Sequence, residues 1–206
     1  MLHLVLGGAR SGKSSFAESW LLDQAKQSKQ DNTMPIYIAT AQALDNEMTE
    51  RIKHHQQQRS SETWQLIECP QLLVEQLPTI DNRALVLIDC LTLWLTNHLM
   101  IAEQQLSTQS VEDYLTEQVE RLVEALDNHQ ATIVVVANEI GLGVVPMGKA
   151  TRIFVDHAGW LNQRLAAISQ RVTLVTAGLP MVLKDGLKVI VEQDGFKDKG
   201  LGKHHG

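Results

Sequence analysis

An α/β layer sandwich on a mainly parallel central sheet is the fold this sequence predicts, and three observations predict it. Short runs rich in β-branched residues alternate with longer stretches of helical periodicity, the order expected when helices cross back over a parallel sheet. The chain of 206 residues is long enough for one well-buried core and short for two. No internal repeat or linker divides it.

The elements follow in chain order. Residues 2–6, LHLVL, form a first strand that ends in a Gly-rich turn, and a helix runs from Lys13 through SSFAESWLLDQAKQ. Residues 35–39, PIYIA, form a second strand, after which Asp45 caps a helix carrying ERIKHHQQQR. A third strand reads ALVLID over residues 84–89, and the apolar LTLWLTNHLM behind it is a buried helix. QQLSTQS is a polar surface connection. In VEDYLTEQVERLVEALDNH the residues Val111, Tyr114, Leu115, Val119, Leu122 and Leu126 recur every three or four positions, as in an amphipathic helix. ATIVVVANE is a buried strand, GLGVVP interrupts, KATRIFVDHAGWLNQRLAAIS resumes helical spacing, and RVTLVTAG is the last parallel-type strand. One domain is expected over residues 1–184. Residues 185–206 form a Gly- and Lys-rich extension with a short edge strand in LKVIVE.

Composition excludes several classes of function. With 44% hydrophobic and 20% charged residues the chain has ordinary globular composition. Its formal charge of −6 opposes a sequence-independent grip on a nucleic-acid backbone, so no nucleic-acid partner is expected. The apolar runs ALVLI and TIVVVA are far too short to span a membrane. MLHLVLGG lacks the apolar core and cleavage pattern of a signal peptide, so a cytoplasmic location is expected. Cys69 and Cys90 have neither CxxC nor zinc-site spacing and are expected as free, buried thiols.

The chemistry begins at residues 7–14, GGARSGKS, a full G-x-x-x-x-G-K-[ST] match between a strand and a helix. Gly7, Gly8, Ala9, Arg10, Ser11 and Gly12 are expected to turn their N–H groups toward phosphate oxygens, at the positive end of the helix dipole. Lys13 would neutralise the β- and γ-phosphates, and Ser14 would ligate Mg²⁺. Asp89 ends a buried strand at the carboxyl edge, where open α/β sheets bind ligands, and is the expected Mg²⁺ carboxylate; an N-cap of the next helix is its plainer role. By the same edge rule Asn138 and Glu139 face the nucleotide side, with Gly141 and Gly143 leaving room for a ligand or lid.

GGARSGKS, YIATA, EMTERIKHHQQQR, LIDCLTLWLTN, NEIGLGVVP and GWLNQRLA, in this order, resemble the bifunctional adenosylcobinamide kinase/adenosylcobinamide-phosphate guanylyltransferase family of cobalamin biosynthesis. The match spans roughly residues 2–184. The phosphate loop is shared with many NTPases, whereas NEIGLGVVP, and RIKHHQQQR after YIATA, are far more specific. The resemblance implies a RecA-like P-loop NTPase fold, often trimeric, and two reactions. The first phosphorylates the aminopropanol hydroxyl of adenosylcobinamide with ATP or GTP. The second moves GMP from GTP onto that phosphate through a guanylylated histidine, giving adenosylcobinamide-GDP.

Carried over residue by residue, the resemblance implies that Gly7 to Ser14 hold the triphosphate and that Ala39, Thr40 and Ala41 line the nucleotide. Gln56, Gln57, Gln58, Arg59 and Glu68 would contact GTP, and Asp89 would serve the metal and phosphates. The family helix after the NE-G-G-P loop often reads R-x-F-R-D; here Arg152 and Asp156 are kept but Val155 replaces the second Arg.

A bare His54-His55 pair admits metal binding, a structural role or chemistry. On a helix, Arg51, His55 and Arg59 share one face, whereas His54 is rotated by about 100° onto a stripe with Glu47, Glu50 and Gln58. The two guanidinium groups disfavour protonation of His55, favouring a neutral nucleophilic imidazole, and can neutralise the α-phosphate as it is attacked. The family pattern R-I-x-x-H-x-x-x-R falls on the same three residues, making His55 the expected carrier of GMP. Neighbouring histidines on a helix cannot point at one ion, which weakens the metal reading. His3, His98, His129 and His157 read as isolated polar or core residues, and His204-His205 as a tail. Two other functions fit the phosphate loop: a small-molecule kinase without a covalent intermediate, and a nucleotide-binding regulatory module.

Overall fold

A computed structural model describes residues 1–27, 34–42, 63–105, 110–143, 146–186 and 188–189. Eight strands form one sheet: β1 (Leu2–Gly7), β2 (Ile36–Ala39), β3 (Gln65–Glu68), β4 (Leu85–Asp89), β5 (Thr132–Asn138), β6 (Arg171–Thr176), β7 (Leu179–Asp185) and β8 (Lys188–Val189). Their spatial order is β3-β2-β4-β5-β1-β6-β7-β8. The first six pair parallel, and β7 and β8 extend the sheet antiparallel. The helices are α1 (Lys13–Gln27), α2 (Leu73–Gln76), α3 (Leu91–Gln105), α4 (Val111–Asn128) and α5 (Lys149–Ile168), with a 3₁₀ turn at Leu77–Thr79. No helix among the described residues is long and apolar enough to cross a membrane.

The two faces of the sheet are covered unequally. Leu4, Leu6, Val86, Ile88, Ile133 and Val135 point to the side packed by α2, α3, α4 and α5. Their alternates Val5, Leu87, Val134 and Val136 point to the side where Ala17 and Leu21 of α1 pack. This is the period-two division of a strand buried on both faces, and it explains why these strands read as unbroken apolar runs. The predicted stripe of α4 buries Leu115, Val119, Leu122 and Leu126, and Ser110 caps the helix by accepting the Asp113 N–H at 3.0 Å.

Three elements escape the sequence reading. β3 is an edge strand with no fully buried residue. α2 is a single turn. β7 returns from β6 through a two-residue loop, Ala177-Gly178, with φ of 51° and 78°. Both positive values are the signature of the mirror-image hairpin turns that match strand twist. The sheet continues through β8, where LKVIVE was expected to form a short edge strand.

Candidate active site

Register gathers the predicted residues at one edge. Across the ladders Gly7 lies opposite Asn138, and Ala39 opposite both Asp89 and Glu68, so the carboxyl ends of β1, β5, β4, β2 and β3 form a continuous rim. The phosphate loop rises from that rim. A Cβ on Gly7 would overlap the Ser11 hydroxyl and the Val175 carbonyl, so only glycine fits there. Arg10 and Gly12 take φ of 57° and 91°, the left-handed turns by which the loop reverses, and Ser11 N–H closes it on the Gly8 carbonyl at 3.3 Å. Phe16 N–H donates to the Gly12 carbonyl at 3.0 Å, so the helical ladder starts directly from the loop. The Lys13 ammonium is buried beside the loop, donating to the Gly8 carbonyl at 3.1 Å. Ser14 follows on the first turn of α1.

The hairpin tip supports this loop from the other side. Gly178 N–H donates to the Ser11 carbonyl at 2.9 Å, and a Cβ on Gly12 would meet Gly178 Cα at 3.4 Å. Among the described residues Ser11 Oγ and Asn138 Oδ1 are buried without a hydrogen-bond partner. Such atoms are costly in a folded chain, and His3 Nδ1 and Arg171 Nε share the condition; Asn138 closes the β1–β5 ladder opposite Gly7, and Ser11 lies in the loop that follows β1.

Asp89 is not the N-cap of the following helix. α3 starts at Leu91, and it is the Cys90 carbonyl that accepts from Leu93 and Trp94. The Asp89 carboxylate instead accepts the Tyr37 hydroxyl at 2.7 Å. Tyr37 is held edge-on against Trp64, ring centroids 5.7 Å apart. Neither aromatic was singled out in the sequence. Ala39 and Ala41 are half-buried on the rim. Thr40 is fully buried, its hydroxyl donating to the Cys90 carbonyl at 2.7 Å, while Asn97 donates to the Thr40 carbonyl at 2.9 Å. The Thr40 side chain therefore braces the loop after Asp89 from behind.

Between the loop strand and the Asp89 strand, β5 ends in Asn138, and Glu139 follows it. Glu139 N–H donates to the Gly7 carbonyl at 3.1 Å, extending the ladder one residue past the strand. Its carboxylate accepts from Gly141 N–H at 3.1 Å and from the Asn162 amide of α5 at 3.5 Å. Asn162 meets the strand end, and the N-terminal half of α5 leads up to it. There the N-terminal parts of α4 and α5 border an open cleft of about 470 Å³, lined by Glu112, Thr116, Arg152, Asp156 and a half-exposed Trp160. Arg152 and Asp156, the two residues kept from the family's R-x-F-R-D pattern, both line it.

The remaining histidines are structural. His3 is wholly buried, its Nε2 2.9 Å from Thr173 Oγ1, and burial, aided by Arg171, lowers its pKa to about 3. Burial also lowers His98, which bonds Tyr114 and the Gln71 carbonyl. His129 Nδ1 accepts from Ala131 N–H, so Nε2 donates to the Leu77 carbonyl. His157 bonds the Ile153 carbonyl at 2.7 Å. Cys69 and Cys90 are free and buried, and burial, then Asp89, pushes the Cys90 thiol up to about 12, which removes it as a nucleophile. Arg51, His54, His55, Gln56, Gln57, Gln58, Arg59 and the tail histidines lie outside the described residues, as does the helix expected after Asp45.

Residues 3–183 match the family model described as cobinamide kinase / cobinamide phosphate guanyltransferase. The bifunctional adenosylcobalamin biosynthesis protein CobP of Pseudomonas aeruginosa is 43% identical over 185 residues, covering 89% of this chain and 98% of that protein. The corresponding CobU proteins of Escherichia coli and Salmonella typhimurium are 37% and 38% identical, each covering 89% of this chain and all of the relative.

Proposed function

The chain belongs to the cobinamide kinase/cobinamide phosphate guanylyltransferase family, and from that membership we propose how its residues divide the two reactions. One triphosphate site serves both. The loop from Gly7 to Ser14 cradles the phosphates of GTP or ATP, and Lys13 exchanges the Gly8 carbonyl for phosphate oxygens. Ser14 and Asp89 offer the hard oxygen donors that Mg²⁺ prefers; when bound, that ion neutralises charge on the phosphates. Among the described residues no group of three or more His, Cys, Asp or Glu is gathered for a metal, which suits an ion completed by phosphate and water. Tyr37 fixes the orientation of the Asp89 carboxylate.

In the kinase reaction the aminopropanol hydroxyl of adenosylcobinamide attacks the γ-phosphorus and the nucleoside diphosphate leaves. In the transferase reaction His55 attacks the α-phosphorus of GTP, pyrophosphate leaves, and the phosphate of adenosylcobinamide phosphate then displaces the histidine to give adenosylcobinamide-GDP. Arg51 and Arg59, expected on the same helix face as His55, would neutralise the α-phosphate. Gln56, Gln57, Gln58 and Glu68 contact the nucleotide, and Ala39, Thr40 and Ala41 shape its bed. The corrinoid rests against the N-terminal half of α5, where Trp160 offers a flat face and Arg152 and Asp156 can hydrogen-bond its amide arms. The trimer implied by resemblance is part of this proposal, and sedimentation reads it out.

The observation that carries the reading is a phosphate loop that only glycine can close, set on the same rim as Asp89. Incubation with adenosylcobinamide, GTP and Mg²⁺ should yield adenosylcobinamide phosphate and then adenosylcobinamide-GDP. Lys13→Ala should depress both by about two orders of magnitude or more, since both need the anchored triphosphate. Unchanged rates in that variant would remove the site from the mechanism.

A further inference from the structure

We propose that Glu139 accepts the hydroxyl proton of the corrinoid alcohol in the kinase reaction and takes no part in guanylyl transfer. This rests on the two-reaction reading above and assigns one residue to one half of it.

Position comes first. Glu139 directly follows β5, the strand lying between the phosphate-loop strand β1 and the Asp89 strand β4. Its N–H is bonded to the carbonyl of Gly7, the first residue of the loop, so its backbone cannot drift from the phosphates. The side chain is oriented twice, by Gly141 N–H on one oxygen at 3.1 Å and by the Asn162 amide on the other at 3.5 Å. Asn162 is itself buried and also donates to the Asn138 carbonyl at 3.2 Å, which ties α5 to the strand end. Among the described residues no Lys, Arg or His pairs with Glu139. A carboxylate held by two neutral donors is aimed without being neutralised, and each oxygen keeps a lone pair for a proton. It is half-buried and so open to a substrate.

The chemistry divides the reactions. An alcohol enters the kinase step with a proton. Its oxygen bonds to the γ-phosphorus, the bond from that phosphorus to the bridging oxygen breaks, and the diphosphate leaves with the electron pair. The hydroxyl proton passes to the Glu139 carboxylate and from there to solvent. Guanylyl transfer has no such need. There the nucleophiles are an imidazole lone pair and a phosphate oxyanion, neither of which must lose a proton to attack.

Glu139→Gln keeps the shape and an acceptor for Gly141 but removes the base. With full-length protein, transfer of γ-label from GTP to adenosylcobinamide should fall by about 10² to 10⁴. Transfer of α-labelled GMP to separately prepared adenosylcobinamide phosphate should proceed at the wild-type rate, and Glu139→Asp should recover part of the kinase rate. An unchanged kinase rate in Glu139→Gln overturns the proposal and leaves the family activity standing. Equal loss of both reactions also overturns it, because a residue that merely shapes the loop would damage the shared triphosphate site. A wild-type protein that phosphorylates no corrinoid would instead contradict the underlying reading.

Discussion

Gly7 shows how much one position can carry. Its missing Cβ leaves the space in which the Ser11 hydroxyl and the Val175 carbonyl meet the loop, and the Val175 atom is backbone that cannot swing aside. Gly7→Ala should therefore open the loop and cut both activities together, with GTP binding by calorimetry weakened at least tenfold; normal binding in that variant would show the loop to be more pliable than its packing. His3 makes a different residue-scale prediction. It stays neutral in the folded chain down to about pH 3, whereas an unfolded histidine takes a proton near pH 6.5. Its contribution is complete above pH 6.5 and is lost as pH falls toward 3. Urea unfolding at pH 7 and pH 5 should show a drop to which His3 contributes on the order of 2 kcal/mol, absent from His3→Gln. An equal drop in both proteins would refute that assignment.

At the scale of elements, what the sequence reveals depends on burial. β1, β4, β5 and β6 were legible because strands covered on both faces must be apolar at nearly every position. The exposed edge strand QLIE carries no such signal, and LPMVLKD hides its own behind Pro180 and a turn built on Ala177-Gly178 rather than Asn-Gly. The candidate site divides in the same way. Gly7 to Ser14 and Asp89 could be read locally, from a motif and a strand end. Tyr37, which orients Asp89 from 52 residues away, depends on the β2–β4 register, and no local pattern encodes it. The tie between Asn162 and Glu139 is equally nonlocal. α5 supports a test of the corrinoid side. Trp160→Ala should raise the KM for adenosylcobinamide roughly tenfold, the value of one lost aromatic contact, while leaving the KM for GTP alone. An unaltered corrinoid KM would move the substrate away from this helix.

For the whole molecule, the proposed division has one triphosphate site run two chemistries that attack different phosphorus atoms. The sheet supplies what both need: a phosphate cradle, a charged anchor in Lys13 and a carboxylate rim. In the proposed division His55 would supply what only the second needs, a nucleophile whose bond to phosphorus is easily broken again. The most direct measurement is covalent. Protein incubated with GTP labelled at the α-phosphate should carry label in an acid-labile, base-stable linkage, and His55→Ala should lose it while still phosphorylating adenosylcobinamide. Label that never attaches, or attaches equally well to His55→Ala, would contradict the account.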